Sequence, residues 1–396
     1  MIPYGKQSIS NEDIEAVVSV LKSDFLTQGR QVPLFEQAFC KEVSAKYAVA
    51  SNSATSSLHV ACLALGVTSG DFVWTSPVSF VASSNCAIYC GAEVDFIDID
   101  PETYNISIDA LKEKLILAKK SNKLPKVVIP VHLAGQSCDM KAIHALSLEY
   151  DFKIIEDASH AVGAKYLDHS VGACKYSDIA VFSFHPVKII TSGEGGMAVT
   201  NSEEIGIQMG SIRSHGITRD PDLMTIEPDG PWFYQQLELG FNYRMTDIHA
   251  ALGKSQLSRL KEFISKRQAI ANTYHNELIS DNLILPKQHK DTYSSYHLFI
   301  LRFPDTSGPH SRNNAFNRLR ESGINVNLHY IPIYRQPYYQ DIGFNADDFP
   351  ASESYYQQAI SIPIYPDLTE AQQAYIVDVI RSSTNKQFKE GYQDLF

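Results

Sequence analysis

Short apolar runs alternate with stretches of helical period along the first two-thirds of the chain. Runs at 47–51, 72–75, 94–99, 126–132, 152–157, 179–184 and 197–200 predict strands. Between them, 55–65, 79–90, 108–119 and 139–149 predict helices. This alternation predicts an α/β domain built on a mostly parallel sheet. Ahead of it, Ser10-Asn11-Glu12-Asp13 has the form of a capping box with Asp in place of Glu, and Ile14, Val17, Val18 and Leu21 follow at helical spacing. A single helical pattern then extends from about Thr246 to Leu278, opening on Thr246-Asp247 and carrying Leu252, Leu257, Leu260 and Ile264. The remainder mixes the two periods: a strand at 296–303, a helix at 311–321, a strand at 324–328 and a closing helix after Thr369. The Pro-rich stretch from Pro332 to Pro366 predicts loop with short helix. The expected organisation is a large domain, residues 1–255, and a smaller α+β domain, residues 256–396.

Length and charge narrow the picture. A chain of 396 residues exceeds one small core. A formal net charge of −11 repels phosphate backbones, so no nucleic acid is expected as a partner. No apolar run approaches the roughly 18 residues of a membrane span, and the first residues lack the form of a secretory signal. The expected location is cytoplasmic, with no membrane contact. Cys86 and Cys90 are four apart, on one face of a helix, but no second pair of ligands accompanies them. No metal is expected, and the six cysteines read as reduced, mostly buried thiols.

In open α/β sheets ligands bind beyond the carboxyl ends of the strands, so the residues after each predicted strand carry the chemistry. Ser51 to Ser56 follow the first run. Small hydroxyl residues at a helix N-terminus suit a phosphate, although an ordinary helix cap has the same form. Asp157 ends the run Ile154-Ile155-Glu156, with His160 three residues on. A carboxylate there can stabilise a protonated pyridine nitrogen, or simply cap a helix. Lys188 follows Phe182-Ser183-Phe184 and precedes Gly193-Glu194-Gly195-Gly196. A lysine that forms a Schiff base must sit in a desolvating pocket, which an aromatic strand and a glycine turn can supply; the alternative is a surface lysine in a loop, which these neighbours disfavour. Gly240 to Met245 precede the long helix, and Asn242 there can reach a phosphate. His132, at a strand end, reads either as a site residue or as a hydrogen-bonded core histidine. Arg213-Ser214-His215-Gly216 is a candidate interface segment.

Taken together, Ser53-Ala54-Thr55, Glu156 to His160, Ser183 to Lys188, Gly193 to Gly196 and Gly240 to Arg244 resemble the DegT/DnrJ/EryC1/StrS family of sugar aminotransferases, and do so nearly end to end. Phe25 to Gly29, Thr75 to Ala82 and Asn327 to Tyr334 are most similar to the members that serve pseudaminic acid biosynthesis. The resemblance implies a fold-type I enzyme dependent on pyridoxal 5'-phosphate, held as a Schiff base on Lys188. It implies that Asp157 pairs with the pyridine nitrogen, that His160 lies near the ring hydroxyl and that Phe80 stacks on the ring. Ser53, Ala54, Thr55 and Ser183 would hold the phosphate. Asn242 would come from the other subunit of a homodimer with shared active sites. Tyr4, Asp24, Phe25, Leu26, Thr27, His329, Tyr330, Ile331 and Pro332, with Ala54, Ser183 and Asn242, would line the sugar-nucleotide site. The implied reaction moves the amino group of L-glutamate, leaving 2-oxoglutarate, to C4 of a UDP-linked 4-keto-6-deoxy-N-acetylhexosamine; another nucleotide-linked 3- or 4-ketosugar is the alternative. A related dehydratase would carry histidine at position 188. Arg30 and Arg335 are the candidates to neutralise the diphosphate.

Overall fold

The computed structural model describes residues 1–308 and 310–384; positions 385–396, the end of the expected smaller domain, lie outside the described residues. Seven strands form the main sheet: β1 (Tyr47–Ser51), β2 (Phe72–Thr75), β3 (Glu93–Phe96), β4 (Val127–Ile129), β5 (Lys153–Asp157), β6 (Ile179–Ser183) and β7 (Gly196–Thr200). Their order is β1-β7-β6-β5-β4-β2-β3. Only β7 runs against its neighbours; the other contacts, β6 to β5, β5 to β4, β4 to β2 and β2 to β3, are parallel. β6 and β7 are buried at every position, which is why they read as unbroken apolar runs rather than alternating ones.

Both faces of the sheet are covered. On one, Phe35 and Phe39 of α2 (Gln31–Val43) pack on Phe182, Phe184 and Met197, with the Phe39 and Phe182 rings 4.9 Å apart. Burying each such ring contributes about 1.5–3 kcal/mol. On the other, α3 (Ala54–Ala64), α4 (Ala82–Tyr89) and α7 (Glu203–Arg213) cover Val49, Val181 and Ala198. Here α5 and α6 are Ile108–Ser121 and Met140–Tyr150, and α1 is Asn11–Leu21. The expected capping box at α1 is formed: Ser10 N–H donates to Asp13 over 2.9 Å.

The single helix expected over 246–278 is two, α8 (Asp247–Ser258) and α9 (Leu260–Glu277). Arg259 leaves helical geometry at φ −100°, ψ 4°, and its guanidinium lies 3.7 Å from the buried Asp13 carboxylate. The apolar spacing continues across the break, so periodicity alone does not reveal it. One hydrophobic cluster ends on Ile264 of α9 and another begins on Ile270. That second cluster surrounds the antiparallel pair β8 (Phe299–Arg302) and β9 (Ala359–Ile362), α10 (Arg312–Glu321) and the helix Glu370–Thr384. The strand expected at 324–328 is instead two isolated bridges, Ile324 to Ile2 and Asn327 to Ser361. The chain there is divided between two partners, the N-terminus on one side and β9 on the other.

The N-terminus thereby joins the C-terminal cluster. Ile2 N–H donates to the Gly323 carbonyl, Asn325 N–H donates to the Ile2 carbonyl, both at 2.8 Å, and Ile364 N–H donates to the Tyr4 carbonyl. Arg267 of α9 is fully buried and donates to the carbonyls of Tyr296, His297 and Ile364 at 3.1, 3.2 and 2.9 Å. Burial pulls this guanidinium down to about 9. Among the described residues no helix is long and apolar enough to cross a membrane, and no group of His, Cys, Asp and Glu is arranged to hold a metal ion.

Candidate active site

The parallel strands β1, β5 and β6 end at one edge of the sheet, and the reversed strand β7 begins there. Ser51, Gly196 and Ser183 therefore lie in one row across β1, β7 and β6. A cavity of roughly 520 Å³ opens at this edge. Its walls include Ser53, Ala54, Thr55, Phe80, Asp157, His160, Ser183 and Lys188 from the sheet side, Tyr4 from the N-terminal segment, and His329 and Tyr330 from the segment that follows α10.

The first wall is the start of α3. Ser53 caps the helix, accepting from Ser56 N–H over 3.1 Å. The Ser56 hydroxyl in turn donates to Asn52 over 2.6 Å. A Cβ on Gly196 would fall 2.4 Å from the Ser53 carbonyl oxygen and 2.5 Å from Ala54 N. Only glycine lets β7 pass this close, so Gly196 sets how far the Ser53-Ala54-Thr55 turn projects.

Asp157 is buried at the end of β5. Its Oδ2 accepts from the Ser83 hydroxyl over 2.6 Å, and its Oδ1 accepts from Ser159 N–H over 3.1 Å. The Ser83 proton is thereby committed, so the Ser79 hydroxyl, 2.7 Å away, donates to Ser83. α4 begins at Ala82 rather than at 79: Ser79 and Phe80 instead line the cavity, Ser79 starts this chain of hydrogen bonds, and Val81 is the residue from which the helix begins.

Lys188 lies past β6 in the tight turn before Gly193, and its amine is desolvated. Burial pulls it from the ordinary lysine range to about 8, against the opposing pull of the Asp157 carboxylate. Three imidazoles surround it. His329 bonds Ser361 over 2.9 Å and is pulled down to about 3 by burial and then by Lys188. His160 and His297, with ring centroids 4.4 Å apart, are both held well below the usual histidine range, again by burial first. A cluster of neutral rings next to a lysine favours the uncharged amine, which is the nucleophilic form.

Several expected residues lie elsewhere. Asn242 is exposed and bridges Ser214 rather than facing this cavity. Asp24, Phe25, Leu26 and Thr27 form an exposed segment outside the cavity wall, tied back where Asp247 N–H donates to the Leu26 carbonyl over 3.0 Å. Ile331 and Pro332 also stand outside it. Arg335 is committed to Glu353 over 2.7 Å and to the Tyr356 ring, whereas Arg30 stands exposed at the start of α2. His132 bonds Glu156 over 2.7 Å in the core, away from the cavity. Arg213 donates to Glu36 over 2.7 Å and to the Ala50 carbonyl, a tie within its own chain. Cys62, Cys86 and Cys90 cluster between α3 and α4, with Cys90 drawn down to about 6 mainly by the Cys62 thiol. The sequence gives no role to Ser79, though it lies in the matched segment Thr75 to Ala82, nor to Ser83 or His297. Nothing marks them locally, because small and aromatic residues at these places read equally as core.

The DegT/DnrJ/EryC1/StrS aminotransferase family model matches residues 7–381. The chain belongs to that family. This sugar aminotransferase is similar to the UDP-4-amino-4,6-dideoxy-N-acetyl-beta-L-altrosamine transaminase of Campylobacter jejuni subsp. jejuni serotype O:2, with 36% identity over 99% of this chain and 100% of the relative. Among solved structures it is similar to Helicobacter pylori PseC, an aminotransferase involved in pseudaminic acid biosynthesis, at TM-score 0.88 and 30% identity over 97% of this chain and 99% of that one. It is also similar to the PLP-form of the sugar aminotransferase Spr1654 from Streptococcus pneumoniae, at TM-score 0.87 and 26% identity over 97% and 98% of the two chains. The family depends on pyridoxal phosphate, and the cavity fits that group. A hydroxyl-rich helix start offers donors for its phosphate, a buried carboxylate already held by two donors stands ready for its pyridine nitrogen, and a desolvated amine can reach its carbonyl.

Proposed function

We propose that this sugar aminotransferase moves the amino group of L-glutamate to C4 of a UDP-linked 4-keto-6-deoxy-N-acetylhexosamine, giving UDP-4-amino-4,6-dideoxy-N-acetyl-beta-L-altrosamine. The observation that supports this most is the meeting of the N-terminal segment and residues 327–330 at the cavity. Tyr4, Asn327, His329 and Tyr330 face Lys188 and Asp157 there, and the similarity to the altrosamine transaminase runs through all of these segments. Bound in this cavity, pyridoxal phosphate supplies an electron sink for the negative charge that develops when a C–H bond next to nitrogen breaks. Ser53, Ala54, Thr55 and Ser183 hold its phosphate in this reading, Phe80 covers its ring and Asp157 keeps its nitrogen charged. Lys188 Nζ takes up the proton from Cα of glutamate and later gives one to C4 of the sugar. The neutral histidines exclude water and add no competing positive charge. Tyr4 and His329, whose rings are 5.2 Å apart, orient the hexosamine.

A panel of UDP- and dTDP-linked 3- and 4-ketosugars tests the assignment, with the aminated carbon located by NMR. The expected product carries nitrogen at C4 of the UDP sugar. Turnover confined to a dTDP-linked 3-ketosugar would overturn the substrate while leaving the aminotransferase intact.

The active unit is proposed to be a homodimer. Asn242 is turned outward, and large apolar side chains are exposed: Leu239, three residues before it, is 79%, Trp232 70%, Phe25 62% and Phe80, on the cavity wall, 58% exposed. Exposed apolar side chains mark an interaction surface where they form one contiguous patch. If Asn242 serves the partner's cavity, then Asn242→Ala and Lys188→Ala, each inactive alone, regain activity when co-refolded, because one site per mixed dimer is whole. Absence of any recovery in demonstrably mixed dimers would refute the shared site.

A further inference from the structure

We infer that Tyr330 is an oriented hydrogen-bond donor to an electron-rich oxygen of the bound reactants, and that its direction is set at one remove by the backbone of Ala134 acting through His160. This rests on the proposed function only for the identity of the sugar. Ala134 N–H lies 3.3 Å from Nδ1 of His160. An amide N–H can only donate, so Nδ1 is the bare nitrogen and Nε2 carries the hydrogen of the neutral ring. Nε2 lies 3.0 Å from the Tyr330 hydroxyl oxygen. The imidazole therefore donates and the phenol accepts. A hydroxyl that accepts along one direction turns its own hydrogen along another, and among the described residues no second hydrogen-bond partner receives it. Tyr330 lines the cavity with its ring 6.2 Å from that of Phe80, so this hydrogen faces the space that the reactants fill.

The surroundings hold the arrangement in place. Burial, and after it the neighbouring Lys188, keep His160 unprotonated, so Nδ1 stays an acceptor. Burial, then Asp157 and Tyr4, push Tyr330 well above the ordinary tyrosine range, so it keeps its hydrogen. His297 closes on the His160 ring, its own backbone tied by Arg267, and the Tyr330 ring stacks on His160 at 24°. Ala134 itself is left-handed, at φ 59°, which turns its N–H toward His160. His160 is in this account a positioning residue. It fixes where Tyr330 points.

Two oxygens offer the same chemistry: the phenolic oxygen of pyridoxal phosphate and the C4 keto oxygen of the sugar. Tyr330→Phe separates them. The protein loaded with pyridoxal phosphate, without sugar, is titrated with pH while its visible absorbance is followed. If the cofactor oxygen is the acceptor, the midpoint moves by about one pH unit, as expected for loss of one hydrogen bond to a charged group. If the sugar oxygen is the acceptor, the midpoint stays, the glutamate half of the reaction is unchanged, and the half that consumes the ketosugar slows on the order of 10- to 100-fold. That arm uses whichever ketosugar the panel shows to be turned over, so a wrong sugar does not disguise the result. His160→Leu reproduces the same change, and the double variant is no worse than either single one, because both remove one directed hydrogen. His160→Gln, which can still accept from Ala134 and donate to Tyr330, regains most of it and guards against a fold defect. Tyr330→Phe with a wild-type midpoint and a wild-type sugar rate overturns the inference, as does full additivity of the Tyr330 and His160 effects.

Discussion

Lys188→Ala removes the visible absorbance of lysine-bound pyridoxal phosphate and lowers turnover at least on the order of 10³-fold, within the range for loss of a positioned proton carrier. The argument for so large a loss lies in the desolvated amine. At about 8, Lys188 is neutral in about one molecule in ten at pH 7, whereas an ordinary lysine is neutral in about one in a few thousand. The wild-type uptake of pyridoxal phosphate therefore accelerates as pH rises toward 8 and levels above it. A lysine with an ordinary value would show no such plateau below pH 10. Glutamate bleaches the wild-type band by taking the first half of the reaction. A wild-type protein without that band, or a Lys188→Ala protein that keeps it, would remove Lys188 from the mechanism.

Asp157→Asn loses on the order of 10²–10³-fold in turnover, the scale for removing one preorganised electrostatic contact in a water-poor site. Asparagine keeps the size of aspartate and an oxygen that can accept from Ser83, so the fold is expected to hold while the charge opposite the pyridine nitrogen is lost. Ser83→Ala leaves the carboxylate but removes its 2.6 Å donor, and is expected to lose a smaller amount, on the order of 10-fold. The ordering is the test. If Ser83→Ala costs as much as Asp157→Asn, the carboxylate acts through packing and not through its charge. Both rates are read alongside pyridoxal phosphate affinity, since a collapsed cavity would lose the two together.

The middle of the sheet was legible in the sequence because β4, β6 and β7 are buried at every position, and β5 at all but its first, and so form nearly bare apolar runs. β6, Ile-Ala-Val-Phe-Ser, is the clearest. Asp157, Ser183 and Lys188 were legible because they follow such runs directly. The break at Arg259 was not, because Leu257, Leu260 and Ile264 keep a helical spacing across it, while the Asp13 carboxylate that Arg259 meets there lies some 250 positions away. His297 and Ser83 escaped for a related reason. Each gains its place from a contact far off in the chain, His297 against His160 and Ser83 against Asp157. Local pattern reports what a residue is beside in sequence, and these two matter for what they meet in space. The contact between His160 and Tyr330 likewise joins segments 170 positions apart, so the expected approach of His160 to the ring hydroxyl said nothing of it.

The first four residues are stitched along 323–325 and end in a side chain that walls the cavity, while Met1 is 91% exposed. Extension and trimming at this end are therefore not equivalent. A purification tag ahead of Met1 leads outward into solvent and leaves the stitching intact. A protease that clips after Tyr4 would unfasten an edge from the C-terminal cluster and open the sugar side of the cavity in one cut, so recombinant protein that has lost residues 1–4 during purification would bind pyridoxal phosphate yet handle sugar poorly.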